Sequence, residues 1–155
     1  MGVGSVAIYS DADRFAPGVL AADEAVRVGP AAAAESYLNI AAIVAACKAT
    51  GAEAVHPGYG FLSERVEFAE RLAAEGIAFI GPGVRALRDF GLKHTARDLA
   101  QRAGVPMLPG TGVLSSVEEA VAAGESVGYP VMLKSSAGGG GIGMVLCHDL
   151  SLIHI

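Results

Sequence analysis

A lysine at the mouth of a glycine run carries the clearest chemistry in this chain. Pro130 to Met144 reads P-V-M-L-K-S-S-A-G-G-G-G-I-G-M. The apolar run Val131 to Leu133 predicts a buried strand ending at Lys134. Gly138 to Gly141, then Ile142 and Gly143, form a loop, and Met144 to Leu146 predicts a returning strand. Glycines lack a Cβ, so the loop can fold closely over a ligand and aim successive backbone N–H groups at phosphate oxygens. The lysine adds a compact positive charge. A flexible linker would be polar at both ends, whereas this loop hangs between two apolar runs, so a nucleotide-phosphate clamp is the expected role. It is not a Walker A loop, because the sequence G-x-x-x-x-G-K-[ST] is missing.

A second constellation is His56-Pro57-Gly58-Tyr59-Gly60-Phe61-Leu62-Ser63-Glu64. It follows a short apolar run and so falls at the C-terminal end of a predicted parallel strand, the edge where α/β sheets bind ligands. Its residue types leave two readings open: a binding loop, or a turn whose Tyr59 and Phe61 pack into the core. Lys93 stands alone between two helical stretches, and spacing by itself makes it a solvated charge. Asp11-Ala12-Asp13-Arg14 reads as a turn whose Asp bonds its own backbone, ahead of a metal or ribose site. His148 and Asp149 lack partners at ligand spacing and read as surface. Gly2-Val3-Gly4-Ser5-Val6-Ala7 fits G-x-G-x-x-A, but a dinucleotide fingerprint follows a strand and opens a helix, and this one precedes a strand.

The elements that must position these residues alternate. Val6 to Tyr9 predicts a strand. Leu38 to Thr50 predicts a helix, with Ile40, Ile43, Val44 and Cys47 on one face and Gly51 past its end. Ala54 to His56 is a second strand. Ser63 is the expected cap of a helix from about Glu64 to Glu75 that turns Phe68, Ala69, Leu72 and Ala73 inward and ends at Gly76. Ile77 to Ile80 is a third strand. This alternation predicts a parallel, Rossmann-like sheet with right-handed crossovers. Beyond Gly83 the texture changes, with helical stretches at about Val84 to Phe90 and Thr95 to Ala103 and an extended Val105 to Leu108. Ser116 and Glu119 have capping-box spacing for a helix ending at Gly128. A domain boundary is expected near residues 83 to 91.

Composition narrows the classes. The chain has 155 residues, 52% of them hydrophobic, enough for a sizeable core. A net charge of −5 argues against a nucleic-acid or anionic-membrane surface. No apolar run approaches the roughly 18 residues of a membrane span. No basic residue precedes Arg14, so no secretory signal is expected. Cys47 and Cys147 form no CxxC motif, which points to neither zinc nor disulfides and to a cytoplasmic protein.

In sum these blocks resemble the biotin carboxylase component of biotin-dependent carboxylases, an ATP-grasp family. The resemblance is carried by Tyr9 to Arg14, Ala22 to Ala25, Ser36 to Leu38, His56 to Glu64, Phe79 to Pro82, Lys93 and Gly128 to Met144. It implies a pre-ATP-grasp domain over 1–87 with its first strand missing, the truncated start of an ATP-grasp domain over 88–149, and an unmatched tail over 150–155. It implies that Lys93 and Lys134 contact ATP phosphates and that Gly139, Gly140, Gly141, Gly143 and Met144 form the ATP lid. It sets Tyr59 near the biotin ring, with His56 and Glu64 shaping that loop. The implied reaction joins ATP and bicarbonate and then carboxylates biotin held on a carrier. No catalytic residue and no metal ligand is expected in this chain; those for Mg2+ or Mn2+ would lie beyond residue 155. The implied partners are a biotin carboxyl carrier and a carboxyltransferase region, in a parent that can be a homo-oligomer. The chain alone is expected to be inactive. The family usually has Arg or Lys where this chain has Ile142. That residue, with G-L-K-H-T-A from Gly91 to Ala96 and P-G-T-G from Pro109 to Gly112, most resembles urea carboxylase. The alternatives are an acyl-CoA or pyruvate carboxylase, a non-catalytic nucleotide-binding module, or a truncated product without function.

Overall fold

The structure, a computed structural model, describes residues 2–136 and 143–152. The chain forms two compact units, Met1–Leu87 and Arg88–Ile155.

In the first unit, β1 (Val6–Ser10) pairs in parallel with β2 (Glu24–Gly29), and α1 (Pro17–Ala21) lies in the connection between them. β3 (Ala54–Val55) pairs in parallel with β4 (Ala78–Phe79) across the crossover helix α3 (Val66–Ala74). The helix α2 (Ile40–Thr50) starts where Asn39 Oδ1 accepts from the Ala42 N–H and ends at Gly51, whose φ of 67° no β-branched residue would take comfortably. The expected α/β class with parallel pairing is therefore present.

One core joins the strands to the two helices. Ile43, Val44, Ala46 and Cys47 of α2 meet Phe68 and Leu72 of α3, together with Val28, Leu62 and Ile77. Ile8, Val26, Val55 and Phe79 from the four strands pack against this cluster. Phe68 and Phe79 meet edge to face at 6.1 Å, the arrangement ring quadrupoles favour. Burial lifts the Cys47 thiol above its ordinary pKa, so it sits there as a small hydrophobe.

The second unit is built from helices and one antiparallel hairpin. The boundary between units falls inside α4 (Val84–Gly91), which is followed by α5 (Lys93–Arg102) and α6 (Val117–Val127). A cis Tyr129–Pro130 bond leads into β5 (Val131–Lys134), which pairs with β6 (Met144–Cys147).

Several details differ from the sequence expectation. β2 was not expected at all. Its two apolar side chains, Val26 and Val28, flank Arg27, and it becomes a strand because β1 lies beside it to be paired. Ser63 does not cap α3. Its N–H is spent on the Gly60 carbonyl, the Arg65 N–H on the Leu62 carbonyl, and the helix begins only at Val66. Ala73 is exposed rather than inward, because Phe68, Ala69 and Leu72 already fill the buried stripe. The Ser116 cap is real, with its hydroxyl accepting from the Glu119 N–H at 3.1 Å. The returning arm of the box reaches one residue further back, to the N–H and hydroxyl of Ser115.

Candidate functional site

The second unit brings Lys93 to the root of the glycine loop. Lys93 is the first residue of α5, where the helix dipole places positive partial charge. A cation there is electrostatically disfavoured unless something negative faces it. In this chain its ammonium donates to the Ser135 carbonyl at 3.2 Å. Lys134, the last residue of β5, is exposed and pairs across the ladder with Met144. Ser135 N–H in turn donates to the Gly143 carbonyl at 2.8 Å, one further rung past the hairpin. Gly143 has φ 71°, and a Cβ built on it would meet Ser135 Oγ at 2.5 Å. Glycine at this position is therefore required twice, by conformation and by space. Gly139, Gly140, Gly141 and Ile142 lie outside the described residues.

This arrangement fits a polyphosphate. Two ammonium groups stand at one end of a hairpin whose ends are pinned together, and one of them is held by a neutral carbonyl that a phosphate oxygen could replace. A separate cleft of about 660 Å3 in this unit is lined by His94, Arg97 and the Pro109–Gly112 segment. Arg97 donates to the Leu108 carbonyl at 2.8 Å and so fixes the start of that segment. His94 Nδ1 is buried without a hydrogen-bond partner among the described residues.

The first unit carries the second constellation. Gly58 (φ 65°), Gly60 (φ 73°) and Phe61 (φ 43°) all take left-handed backbone. For Phe61 this costs roughly 1–2 kcal/mol, which something nearby must offset. The anchors are visible. His56 Nδ1 accepts from the Gly58 N–H, Leu62 is buried in the core, and the Phe61 ring lies 5.6 Å from that of Tyr37. Tyr59 is 96% exposed, held by its backbone and presented to solvent.

Behind Tyr37 is a network the sequence did not reveal. Its hydroxyl donates to Asp13 Oδ2 at 2.6 Å and accepts the Ser10 N–H at 2.8 Å. Ser10, fully buried, donates its own hydroxyl to the same carboxylate oxygen. The hydrogen bond from Tyr37, then that from Ser10, holds the Asp13 carboxyl below its ordinary pKa. Asp11 pairs bidentately with Arg27 of β2, and that contact lowers its pKa in the same way. The expectation that these aspartates bond their own backbone is therefore wrong: their carboxylates bridge to side chains 16 and 24 residues on. His148 and Asp149 are exposed, as expected. Among the described residues no cluster of three His, Cys, Asp or Glu side chains could hold a metal ion. No helix among them is long and apolar enough to cross a membrane.

Residues 1–87 match the model of the biotin carboxylase N-terminal domain. The chain belongs to the biotin carboxylase family. Residues 93–154 match the ATP binding domain of the carbamoyl-phosphate synthase L chain. Over 93% of its length the chain is 50% identical to urea amidolyase of Lachancea kluyveri, covering 8% of that protein. Over 93% of its length it is also 54% identical to the propionyl-CoA carboxylase alpha chain of Ruegeria pomeroyi, covering 21% of it. The crystal structure of a biotin carboxylase–β,γ-ATP complex from Campylobacter jejuni superposes with a TM-score of 0.93 and 44% identity, over 99% of this chain and 34% of that one. The chain thus spans less than a quarter of these two curated relatives, and corresponds to part of the biotin carboxylase region of biotin-dependent carboxylases.

Proposed function

We propose that this chain supplies the nucleotide-phosphate and biotin-facing loops of an ATP-dependent biotin carboxylase. The observation that carries the reading is the Lys93–Ser135 contact, which sets a second cation at the base of the glycine hairpin beside Lys134. On this reading residues 1–87 are the pre-ATP-grasp domain and 88–149 the opening of ATP-grasp. Lys93 and Lys134 hold ATP phosphates and spread the charge that builds as a bicarbonate oxygen attacks the γ-phosphorus and ADP leaves. Gly139, Gly140, Gly141, Gly143 and Met144 close over those phosphates and exclude water. The carboxyl group then passes to the ureido nitrogen of carrier-linked biotin, near Tyr59, as phosphate departs. Mg2+ or Mn2+ would neutralise phosphate charge when bound, on ligands outside residues 1–155. A cytosolic setting belongs to this reading, supported by two free, buried cysteines.

For the acceptor we propose urea, on the strength of Ile142, the Gly91–Ala96 block and the Pro109–Gly112 block. The runner-up is an acyl-CoA, and 54% identity to a propionyl-CoA carboxylase keeps it in view. Phosphate release by the full-length protein separates them. Release stimulated by bicarbonate plus urea supports the proposal. Stimulation by propionyl-CoA and not by urea replaces the acceptor, while no biotin-dependent release with any acceptor defeats the carboxylase reading. The 155-residue chain alone is expected to give no biotin-dependent ATP hydrolysis.

A further inference from the structure

We infer that Tyr37 is a positioning residue for the Tyr59 loop, tying the loop's strained turn to the end of β1 so that Tyr59 is presented to the biotin ring. The inference rests on the reading above, in which Tyr59 faces biotin.

The loop from His56 to Arg65 makes no strand or helix of its own, and three of its residues sit in left-handed backbone. Two of these are glycines, for which the conformation is cheap. Phe61 is not, and a non-glycine residue in that region persists only where its surroundings over-determine it. The Phe61 side chain is 59% exposed, so burial in the core cannot be what fixes it. The ring beside it is Tyr37, at 5.6 Å and tilted by 30°.

Tyr37 is itself unusually constrained. Its hydroxyl both donates and accepts, to Asp13 Oδ2 and from the Ser10 N–H, so the ring's direction is set from its far end. Ser10 and Ser36, the strand end and the preceding neighbour of Tyr37, are fully buried, and Ser36 donates its hydroxyl to the Ala32 carbonyl. The chain of contacts therefore runs from a rigid strand end, through one tyrosine, to the residue two places after Tyr59. Loss of Tyr37 would free Phe61 to relax and let Tyr59 wander.

The test is steady-state kinetics of the full-length carboxylase with free biotin as the probe. Tyr37→Leu removes both ring and tether, and should raise KM for biotin about tenfold, the scale of an aromatic pair plus its hydrogen bonds. KM for ATP and biotin-independent ATP hydrolysis should stay within about twofold. Tyr37→Phe keeps the ring and loses the tether, so its biotin KM should fall between those of wild type and Tyr37→Leu. Phe61→Leu should resemble Tyr37→Leu, and a biotin KM left at the wild-type value in it would overturn the inference. Equal losses in biotin and ATP parameters would mark Tyr37 as a merely structural residue and overturn the inference. An unchanged biotin KM in Tyr37→Leu would overturn it too. Tyr59→Ala identifies which layer failed: if it raises biotin KM while Tyr37→Leu does not, only the positioning role falls. If Tyr59→Ala leaves biotin KM unchanged, the biotin-facing assignment of the loop falls, and the inference with it.

Discussion

The Lys93 ammonium and the Ser135 carbonyl meet at 3.2 Å across 42 residues of chain. One is the first residue of a helix and the other follows directly on a strand, so neither position was chosen by local propensity. On the proposed function, the contact marks where a phosphate oxygen would be received.

On that reading, neutralising either lysine should weaken nucleotide binding in the full-length protein. Lys93→Met and Lys134→Met are each expected to raise KM for ATP by about tenfold or more, the scale of a lost hydrogen bond to a charged group. Lys93→Arg should not restore it fully, because a planar fork does not replace a point charge at the start of a helix. Equilibrium binding of a fluorescent ATP analogue measures the same loss without turnover.

Gly143 admits no side chain. With φ at 71° and Ser135 Oγ in the way, Gly143→Ala should destabilise the second unit by about 1–2 kcal/mol. Gly112, with open space around its Cβ position and no left-handed backbone, is the control. Gly112→Ala should be neutral or slightly stabilising in the same denaturant titration.

The Asp13 network gives stability a direction in pH. Its carboxyl is lowered in the folded chain by the Tyr37 and Ser10 hydroxyls. A folded pKa below the unfolded one contributes stability that is complete above the unfolded value, about 3.9, and is lost as pH falls through the folded value. The difference in melting temperature between wild type and Asp13→Asn should thus be constant from neutral pH down to about 5 and shrink below about 4. A gap that widened on acidification would contradict this.

Leu72 is fully buried among Phe68, Ile43 and Ile77. Leu72→Ala should cost about 2–5 kcal/mol, with the spread set by how far the neighbours close the cavity. Ser116→Ala, by contrast, removes a single cap and should cost about 1 kcal/mol. Chemical denaturation of the two variants ranks a core contact against a helix terminus.

The residues that speak locally were legible in the sequence. Gly51 ends α2, Gly128 ends α6, and apolar runs mark β5 and β6, because each depends on its immediate neighbours; the Asn39 cap was missed, since the helix was expected to start at Leu38. Elements that depend on a partner were not. β2 is a strand only beside β1, and Ser63 is not a cap because turns through Gly60–Arg65 delay the helix until Val66, which leaves Arg65 at the cap position. Tyr37 gave no signal as a site residue, since its role exists only once Ser10, Asp13 and Phe61 converge on it. Lys93 was found by family likeness alone, because a lone cation between helices has no pattern to betray it.

The hydrogen bond from Ser135 to Gly143 also decides what the hairpin tolerates. It makes the two ends of the glycine segment leave the hairpin side by side, so residues can be inserted or deleted between them while the pairing of β5 with β6 stays in register. Each doubling of the intervening length adds only about 0.6 kcal/mol of closure entropy. A change of length between Ser135 and Gly143 is therefore one that the β5–β6 ladder can absorb, whereas a side chain at Gly143 is not.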